Sequence, residues 1–329
     1  MKFAFIIDPI EKLDPTHDSS VALMESAQIM GHEVFITYAN RLSVVDTRAH
    51  AVLEPVRLEP VELVEGHWQT KYSWYSIGDR AFMPLDEMDA VFMRVDPPVT
   101  VPYFYITYIL DYIDPKKTLT INKPSGLRNA NEKMSAVQFP EAIPETIVSS
   151  DNSEIRQFVD KKGLGVLKPL GGKAGEGIVL LQSKDPNFNS LIEISTDRGK
   201  IPVMIQEYIP EAKEGDKRII LLDGEPIGAV LRVPSGNEFR GNMAVGGQSV
   251  KTEITEQELK ICASVAPKLR EEGLYFVGID TIGNKLTEIN VTSPTGIREI
   301  DLFLRSDETR LGNIVIQWVE ERVNAKSSS

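Results

Sequence analysis

Phe276-Val-Gly-Ile-Asp280-Thr-Ile-Gly-Asn-Lys-Leu-Thr-Glu288-Ile-Asn290 is the stretch on which the reading of this 329-residue chain turns. Two runs rich in β-branched residues flank Gly283-Asn284, a pair suited to the positive-φ positions of a tight turn, so the stretch reads as a β-hairpin. Asp280, Glu288 and Asn290 set oxygen-bearing side chains into otherwise apolar strands. Side chains alternate faces along a strand, so a loop with an odd residue count puts all three on one face, whereas a plain two-residue Gly-Asn loop splits them. Three convergent oxygens suit a hard cation such as Mg²⁺, with Mn²⁺ as the alternative. The competing reading is a polar strand face turned to solvent, because spacings this short recur by accident.

Working outward, composition narrows the chemistry. At 42% hydrophobic and 26% charged the chain is globular, with room for two or three domains. Its net charge of −12 argues against a general nucleic-acid binder, which carries a basic face. Cys262 is the single cysteine, so no internal disulfide forms, and the cytoplasm is the expected compartment. The N-terminus turns acidic at Asp8 after a short apolar run, and no run reaches the length of a membrane span. The four histidines lack a metal-ligand spacing, and Cys262 sits in an amphipathic helical stretch, where a small core residue is expected.

The order of elements predicts an α/β architecture. Residues 2–7 read as a buried strand, Ser19 or Ser20 can cap a helix reaching Met30, and 33–38 and 89–94 read as strands, a βαβ pattern with a parallel sheet. No complete G-x-G-x-x-G follows a strand into a helix, and no Walker A pattern is present, so neither fingerprint applies. A turn near Asn122 and a helix expected over 131–139 place the first boundary: 1–123 as an N-terminal domain, 124–203 and 204–329 as two α+β subdomains. Within the second, strands ending at Lys168 and beginning at Gly177 enclose a glycine-rich link. Its Gly171, Gly172, Gly175 and Gly177 let backbone N–H groups approach a phosphate, toward which Lys168 can project. An ordinary surface hairpin explains the same link. Within the third, a hairpin turns at Asp223-Gly224, and 233–249 is a long irregular stretch between the strands, expected to be a lid, with Arg232 and Arg240 able to clamp carboxylate or phosphate.

Nine segments, in one order, carry a resemblance: Asp8-Pro9, Asp18-Ser-Ser, Met93-Arg-Val-Asp-Pro-Pro98, Asn122-Lys-Pro, Asn131-Glu-Lys133, Leu167-Lys-Pro-Leu, Gly215-Asp-Lys-Arg218, Arg240-Gly-Asn and Thr287-Glu-Ile-Asn-Val-Thr-Ser-Pro-Thr295. On these the chain resembles the bacterial glutathione synthetase family of ATP-grasp enzymes along almost its whole length. The resemblance implies a Rossmann-like N-terminal domain and two subdomains that clasp ATP. It implies ligation of γ-glutamylcysteine to glycine through an acyl phosphate, with ATP as co-substrate and a homotetrameric assembly.

Position by position, the resemblance makes Lys133 and Lys168 phosphate contacts, Tyr208 and Ile209 backbone partners of adenine, and Asp216 a neighbour of the ribose. Glu207 departs from an Asn found in some members, and its carboxylate can still accept from a ribose hydroxyl. Asp280, Glu288 and Asn290 match metal ligands. Arg218, Arg232 and Arg240 match basic residues near the phosphoryl acceptor, one of Arg232 and Arg240 being expected to stabilise the tetrahedral intermediate. Ser19, Arg94 and Asp96 resemble the dipeptide site, although an Arg94–Asp96 salt bridge is a structural alternative, and Ser293, Thr295, Gly296 and Arg298 resemble a product-carboxylate loop. A related carboxylate–amine ligase acting on D-alanine or a glutamate tail, or a nucleotide-binding relative without turnover, stays open here; the full set of lysines and acidic residues weighs against the second.

Overall fold

A computed structural model describes residues 1–172, 175–234, 247–305 and 307–327. The five residues after Lys2 in the strand Lys2–Ile7 are all buried. A strand covered on both faces has to be apolar throughout, and such strands pair in parallel. Lys2–Ile7 accordingly runs parallel to Glu33–Tyr38 on one side and Ala90–Met93 on the other, and Leu119–Ile121 extends the parallel set. Phe5 and Phe92 stack across neighbouring strands, 4.4 Å between ring centres. On the far flank the sheet turns antiparallel through Arg48–Leu58, against which Leu42–Val45, Tyr75–Ile77 and Ala81–Pro84 pair. The parallel strands are thus one side of an eight-stranded mixed sheet.

Two local expectations are corrected. The helix Ser19–Ile29 is capped by Asp18, whose Oδ1 accepts from the backbone N–H groups of Ser20 and Val21, so both serines lie inside the first turn. An ionised carboxylate suits the positive end of a helix better than a hydroxyl. The helix expected over 131–139 is only a 3₁₀ turn, Met134–Gln138: Asn131 Oδ1 accepts from the N–H groups of Lys133 and Met134 at its start, and Pro140 pushes Phe139 out of the helical region at its end.

Thr146–Ser149, Val203–Glu207, Gly165–Pro169 and Val179–Leu181 form a four-stranded antiparallel sheet in that order. Its core is its own: Ile155, Val159, Phe188 and Ile192 of two helices pack on Leu167, Val203 and Ile205. A third sheet of five antiparallel strands, ordered Gln248–Lys251, Glu225–Val233, Asp216–Leu222, Phe276–Ile282 and Lys285–Asn290, shares its core with the first, Phe276 and Leu222 packing among Phe3, Phe5 and Phe92. The last helix, Leu311–Ser327, returns to helix Ser19–Ile29. Gly312 sits at that crossing, where a Cβ would clash with Ser26 Oγ and stand 3.0 Å from Ala22 O. Trp318 on this helix lies 5.3 Å from the Tyr275 ring and beneath Arg322.

The hairpin closes with a two-residue turn. Gly283 and Asn284 both have positive φ, 52° and 61°, and Ile282 pairs with Lys285. An even loop predicts that Asp280 and Glu288 face opposite ways. They do not, because the register shifts after Thr281–Leu286, and Asp280 pairs with Glu288 and Gly278 with Asn290. Thr287 is the extra residue of a β-bulge, and its Oγ1 donates to Asp280 O at 3.1 Å. The single face anticipated for the three polar residues exists, made by a bulge instead of an odd loop.

Candidate active site

A cavity of about 1120 Å³ is lined by residues of the four- and five-stranded sheets and of the loops that leave the eight-stranded one. Asp8 and Asp96 enter it from beyond the carboxyl ends of parallel strands, the position where open α/β sheets bind ligands. Lys168 and Gln206 come from the four-stranded sheet, and Arg218, Arg232, Asp280, Glu288 and Asn290 from the five-stranded one.

The two lysines stand side by side on one wall. Lys133 Nζ donates to Gly172 O at 2.8 Å and pairs with Glu288 Oε1 at 2.9 Å. Lys168 Nζ donates to Gln206 Oε1 at 2.6 Å. Burial pulls the Lys168 pKa below the usual lysine value; Glu288 opposes the shift and Lys133 adds to it. Of the glycine loop, Gly172 and Gly175 line the cavity, whereas Gly171 and Gly177 do not, and residues 173 and 174 lie outside the described residues.

Next to Glu288 on the five-stranded sheet, two arginines meet two aspartates. Arg218 grips Asp280 through Nε and Nη2, the latter at 2.8 Å, and its Nη1 donates to Thr295 O at 3.0 Å. Arg232 pairs with both Asp216 and Asp280, the second at 3.0 Å. Register makes this possible, since Arg218 is the direct partner of Asp280 on one side and Asp216 of Arg232 on the other. Burial alone would raise the Asp280 pKa, but the two guanidinium groups outweigh it and hold the carboxyl below its ordinary value. For Arg232 burial opposes the charge, and Asp216 and Asp280 outweigh it and raise the pKa.

Asp280, Glu288 and Asn290 offer on one face the oxygen donors that a hard divalent cation takes, and a cation held there would share Asp280 with Arg218, Arg232 and Asn290 and Glu288 with Lys133. The two carboxylates are directly paired across the hairpin, and Asn290 spends its Nδ2 on Gly278 O and Asp280 Oδ2, 3.2 Å each, leaving Oδ1 as its ligand atom. The donor set is entirely oxygen. Tyr208 N–H donates to Leu164 O at 3.3 Å, so an adenine contact by the Tyr208 backbone would use its carbonyl. Glu207 Oε2 lies 3.4 Å from Lys162 Nζ.

The N-terminal candidates divide. Asp96, Ser293, Thr295 and Gly296 line the cavity. Ser19 is buried, and its Oγ accepts from Gly296 N and Ile297 N at 3.2 Å. Arg94 is buried too, donating to Ser20 Oγ and Pro294 O at 3.0 Å, so both tie the 294–297 turn to the first sheet from behind. Arg298 is corrected outright: it is fully buried, bonded to Glu25 at 2.7 Å and Pro15 O at 3.2 Å, with the Trp68 ring over it. Arg240 lies outside the described residues, as do 235–246 of the expected 233–249 lid.

Residues 1–128 match the family described as prokaryotic glutathione synthetase, N-terminal domain, and residues 132–304 match prokaryotic glutathione synthetase, ATP-grasp domain. The chain belongs to the prokaryotic glutathione synthetase family. A glutathione synthetase of Nostoc sp. is 62% identical over 99% of this chain and 100% of its own length. One of Synechocystis sp. is also 62% identical, over 98% and 100%. Among solved structures, the D-cycloserine synthetase DcsG superposes with a TM-score of 0.64 at 15% identity, covering 98% of this chain and 100% of that one. ATP-grasp ligase PsnB follows at 0.62 and 15%, covering 97% and 98%. At such identities these two show the fold alone, the α+β ATP-grasp fold.

Among the cavity residues of this glutathione synthetase relative that the sequence reading did not single out are Glu132, Gln206 and Glu299. Glu132 lines the cavity and its Oε1 accepts from Val291 N, Thr292 N and Thr292 Oγ1. Burial raises the Glu132 pKa, and Glu288 adds to the rise. Gln206 is buried and holds Lys168 Nζ through its Oε1, a contact between residues 38 apart in the chain that no local signal announces. Glu299 also lines the cavity, and nothing local in the sequence separates it from a solvent-facing helix residue.

Proposed function

We infer that the chain carries out the ligation of its family: γ-L-glutamyl-L-cysteine and glycine are joined to glutathione as ATP is cleaved to ADP and phosphate. The observation that carries the site assignment is the single cavity in which Lys133 and Lys168 face the hairpin of Asp280, Glu288 and Asn290. The division of labour is as follows. Lys133, Lys168 and the N–H groups around Gly172 and Gly175 hold phosphates, while Ile209 N–H and the carbonyls beside it read the adenine and Glu207 and Asp216 flank the ribose. Asp280, Glu288 and Asn290 hold Mg²⁺ or Mn²⁺, which when bound neutralises charge on the β- and γ-phosphates.

A carboxylate is a poor acyl donor, so the dipeptide's C-terminal carboxylate first accepts the γ-phosphoryl group and glycine's amine then attacks the acyl phosphate. Phosphoryl transfer needs position and charge neutralisation more than covalent help. Arg218 and Arg232, held beside Asp280, supply positive charge near the acceptor carboxylate, and either Arg232 or Arg240 donates to the oxyanion of the tetrahedral intermediate. Asp96 and the turn Ser293–Gly296 bind the remainder of the dipeptide, with Ser19 and Arg94 fixing that turn.

The division 1–123, 124–203 and 204–329 belongs to this proposal with its second boundary moved past Glu207, because strand Val203–Glu207 pairs within the four-stranded sheet and Ile205 sits in its separate core. So do a homotetramer and a cytoplasmic location. Val101, Tyr105, Tyr108 and Tyr112 form an exposed stripe at helical spacing that suits self-association, and among the described residues no helix is long and apolar enough to cross a membrane.

ADP release measured with γ-glutamylcysteine and glycine, with D-alanine in place of both, and without an acceptor tests the reaction. Stimulation by the first pair alone is expected; equal turnover without glycine would refute it.

A further inference from the structure

Three polar residues meet in a row on one face of the four-stranded sheet. Thr146 is the direct partner of Gln206 on one side of strand Val203–Glu207 and Val166 is its partner on the other, so Lys168, two residues beyond Val166, shares their face. The alternate residues Leu167, Val203 and Ile205 turn to the opposite face and its core. A chain of hydrogen bonds runs along the row: Lys168 Nζ donates to Gln206 Oε1 at 2.6 Å, Gln206 Nε2 to Thr146 Oγ1 at 3.2 Å, and Thr146 Oγ1 to Pro144 O at 2.8 Å. Both ends fix its direction. The Pro144 carbonyl can only accept, so it takes the single hydroxyl proton of Thr146 and leaves that oxygen as the acceptor for Gln206 Nε2; an ammonium can only donate, so Lys168 requires Gln206 Oε1. Gln206 is 2% exposed, and reversing so buried an amide would set its NH₂ against the ammonium.

We propose that Thr146 is a positioning residue for ATP: by fixing the Gln206 amide it anchors the Lys168 ammonium through one N–H and leaves the other two for phosphate oxygens. The inference rests on the functional reading above, in which Lys168 contacts a phosphate, and deepens it. A lysine is a compact charge on a flexible stem with no directional geometry of its own. Held by Gln206, it gives up less rotamer freedom on meeting a phosphate, and that saving appears as tighter binding. Thr146 is not among the residues that line the cavity, so its influence on ATP passes through Gln206 and Lys168.

The experiment measures the KM values of ATP, γ-glutamylcysteine and glycine in Thr146→Val, Thr146→Ser and Lys168→Met, and in the double variant Thr146→Val/Lys168→Met. Wild-type turnover and a raised ATP KM in Lys168→Met are established first; without them the functional reading itself fails. Given both, Thr146→Val is expected to raise the ATP KM about 3- to 10-fold, the range of one hydrogen bond's net contribution, with the other two KM values within about twofold of wild type. Thr146→Ser keeps the hydroxyl and should restore the ATP KM. In the Lys168→Met background Thr146→Val should add nothing, because the group it positions is gone. An unchanged ATP KM in Thr146→Val would overturn the proposal, and so would an equal rise with and without Lys168, the pattern of a merely structural role. Should Thr146→Val fail to fold, Thr146→Val/Gln206→Leu leaves no orphaned donor, and a wild-type ATP KM in that protein would overturn the proposal by itself.

Discussion

Asp280 stands directly opposite Glu288 although only two residues turn the hairpin between their strands, because Thr287 bulges out of register. One extra residue thereby brings the two acidic groups onto a common face, where Arg218 and Arg232 meet the first and Lys133 the second. Each carboxylate is matched to a cation, and this pairing governs what substitutions will do.

Asp280→Asn removes the shared partner of two buried guanidinium groups. Loss of one member of a buried charge network costs about 3–5 kcal/mol, so urea denaturation should show a drop of that order, with kcat reduced by at least about 100-fold. The Asp280 pKa is depressed in the fold, so its stabilisation is complete above the ordinary carboxylate value and fades as pH falls through and below about 4. The variant should lack that part of the acid-side decline.

Lys168→Met separates stability from function. The lysine is buried with its pKa pulled down, so the unfolded chain binds its proton more tightly, and stability climbs with pH on the alkaline side. Met fills the same volume without a charge to desolvate. Thermal unfolding should therefore show stability kept or raised by about 1 kcal/mol, with the alkaline slope gone, while the ATP KM rises by at least about tenfold.

Glu132→Gln keeps an acceptor for Val291 N, Thr292 N and Thr292 Oγ1 but removes a buried charge facing Glu288. A carboxyl whose folded pKa is raised stabilises the fold while protonated, and that contribution is lost as pH climbs from the unfolded value through the folded one. The variant should flatten this part of the stability curve and be the more stable protein at pH 7. Glu132→Ala should instead lose about 1–3 kcal/mol, since it strips the acceptor as well.

Arg298→Leu tests the correction made above. With Glu25 left buried and unpaired, about 3–5 kcal/mol of stability should be lost. The γ-glutamylcysteine KM measured well below the unfolding temperature should change by less than about threefold. A large KM effect with stability intact would restore Arg298 to the substrate site.

Much of the site was legible because its signals are chemical and local. A lysine ending a strand before four glycines, and oxygen-bearing residues in an apolar hairpin, stand out in any context. Arg298 was misplaced for the opposite reason: nothing near it in the chain says that Glu25 waits beneath it. Which backbone group of Tyr208 stays available was not legible, because a backbone N–H carries no sequence label of its commitments, and Leu164 O takes this one.

Residue types and short spacings were enough to place the parallel strands of the first sheet and the hairpins, and to nominate a phosphate cradle and oxygen ligands, because periodicity and turn chemistry act within a few residues. Which groups meet was a matter of register and docking. Arg218 reaches Asp280 through pairing between strands about sixty residues apart, and Arg94 reaches Pro294 through contact between the first sheet and the turn after the hairpin. A bulge of one residue reverses every face beyond it, and a register shift between distant strands does the same, so charge pairing in this site is a property of the packed sheets.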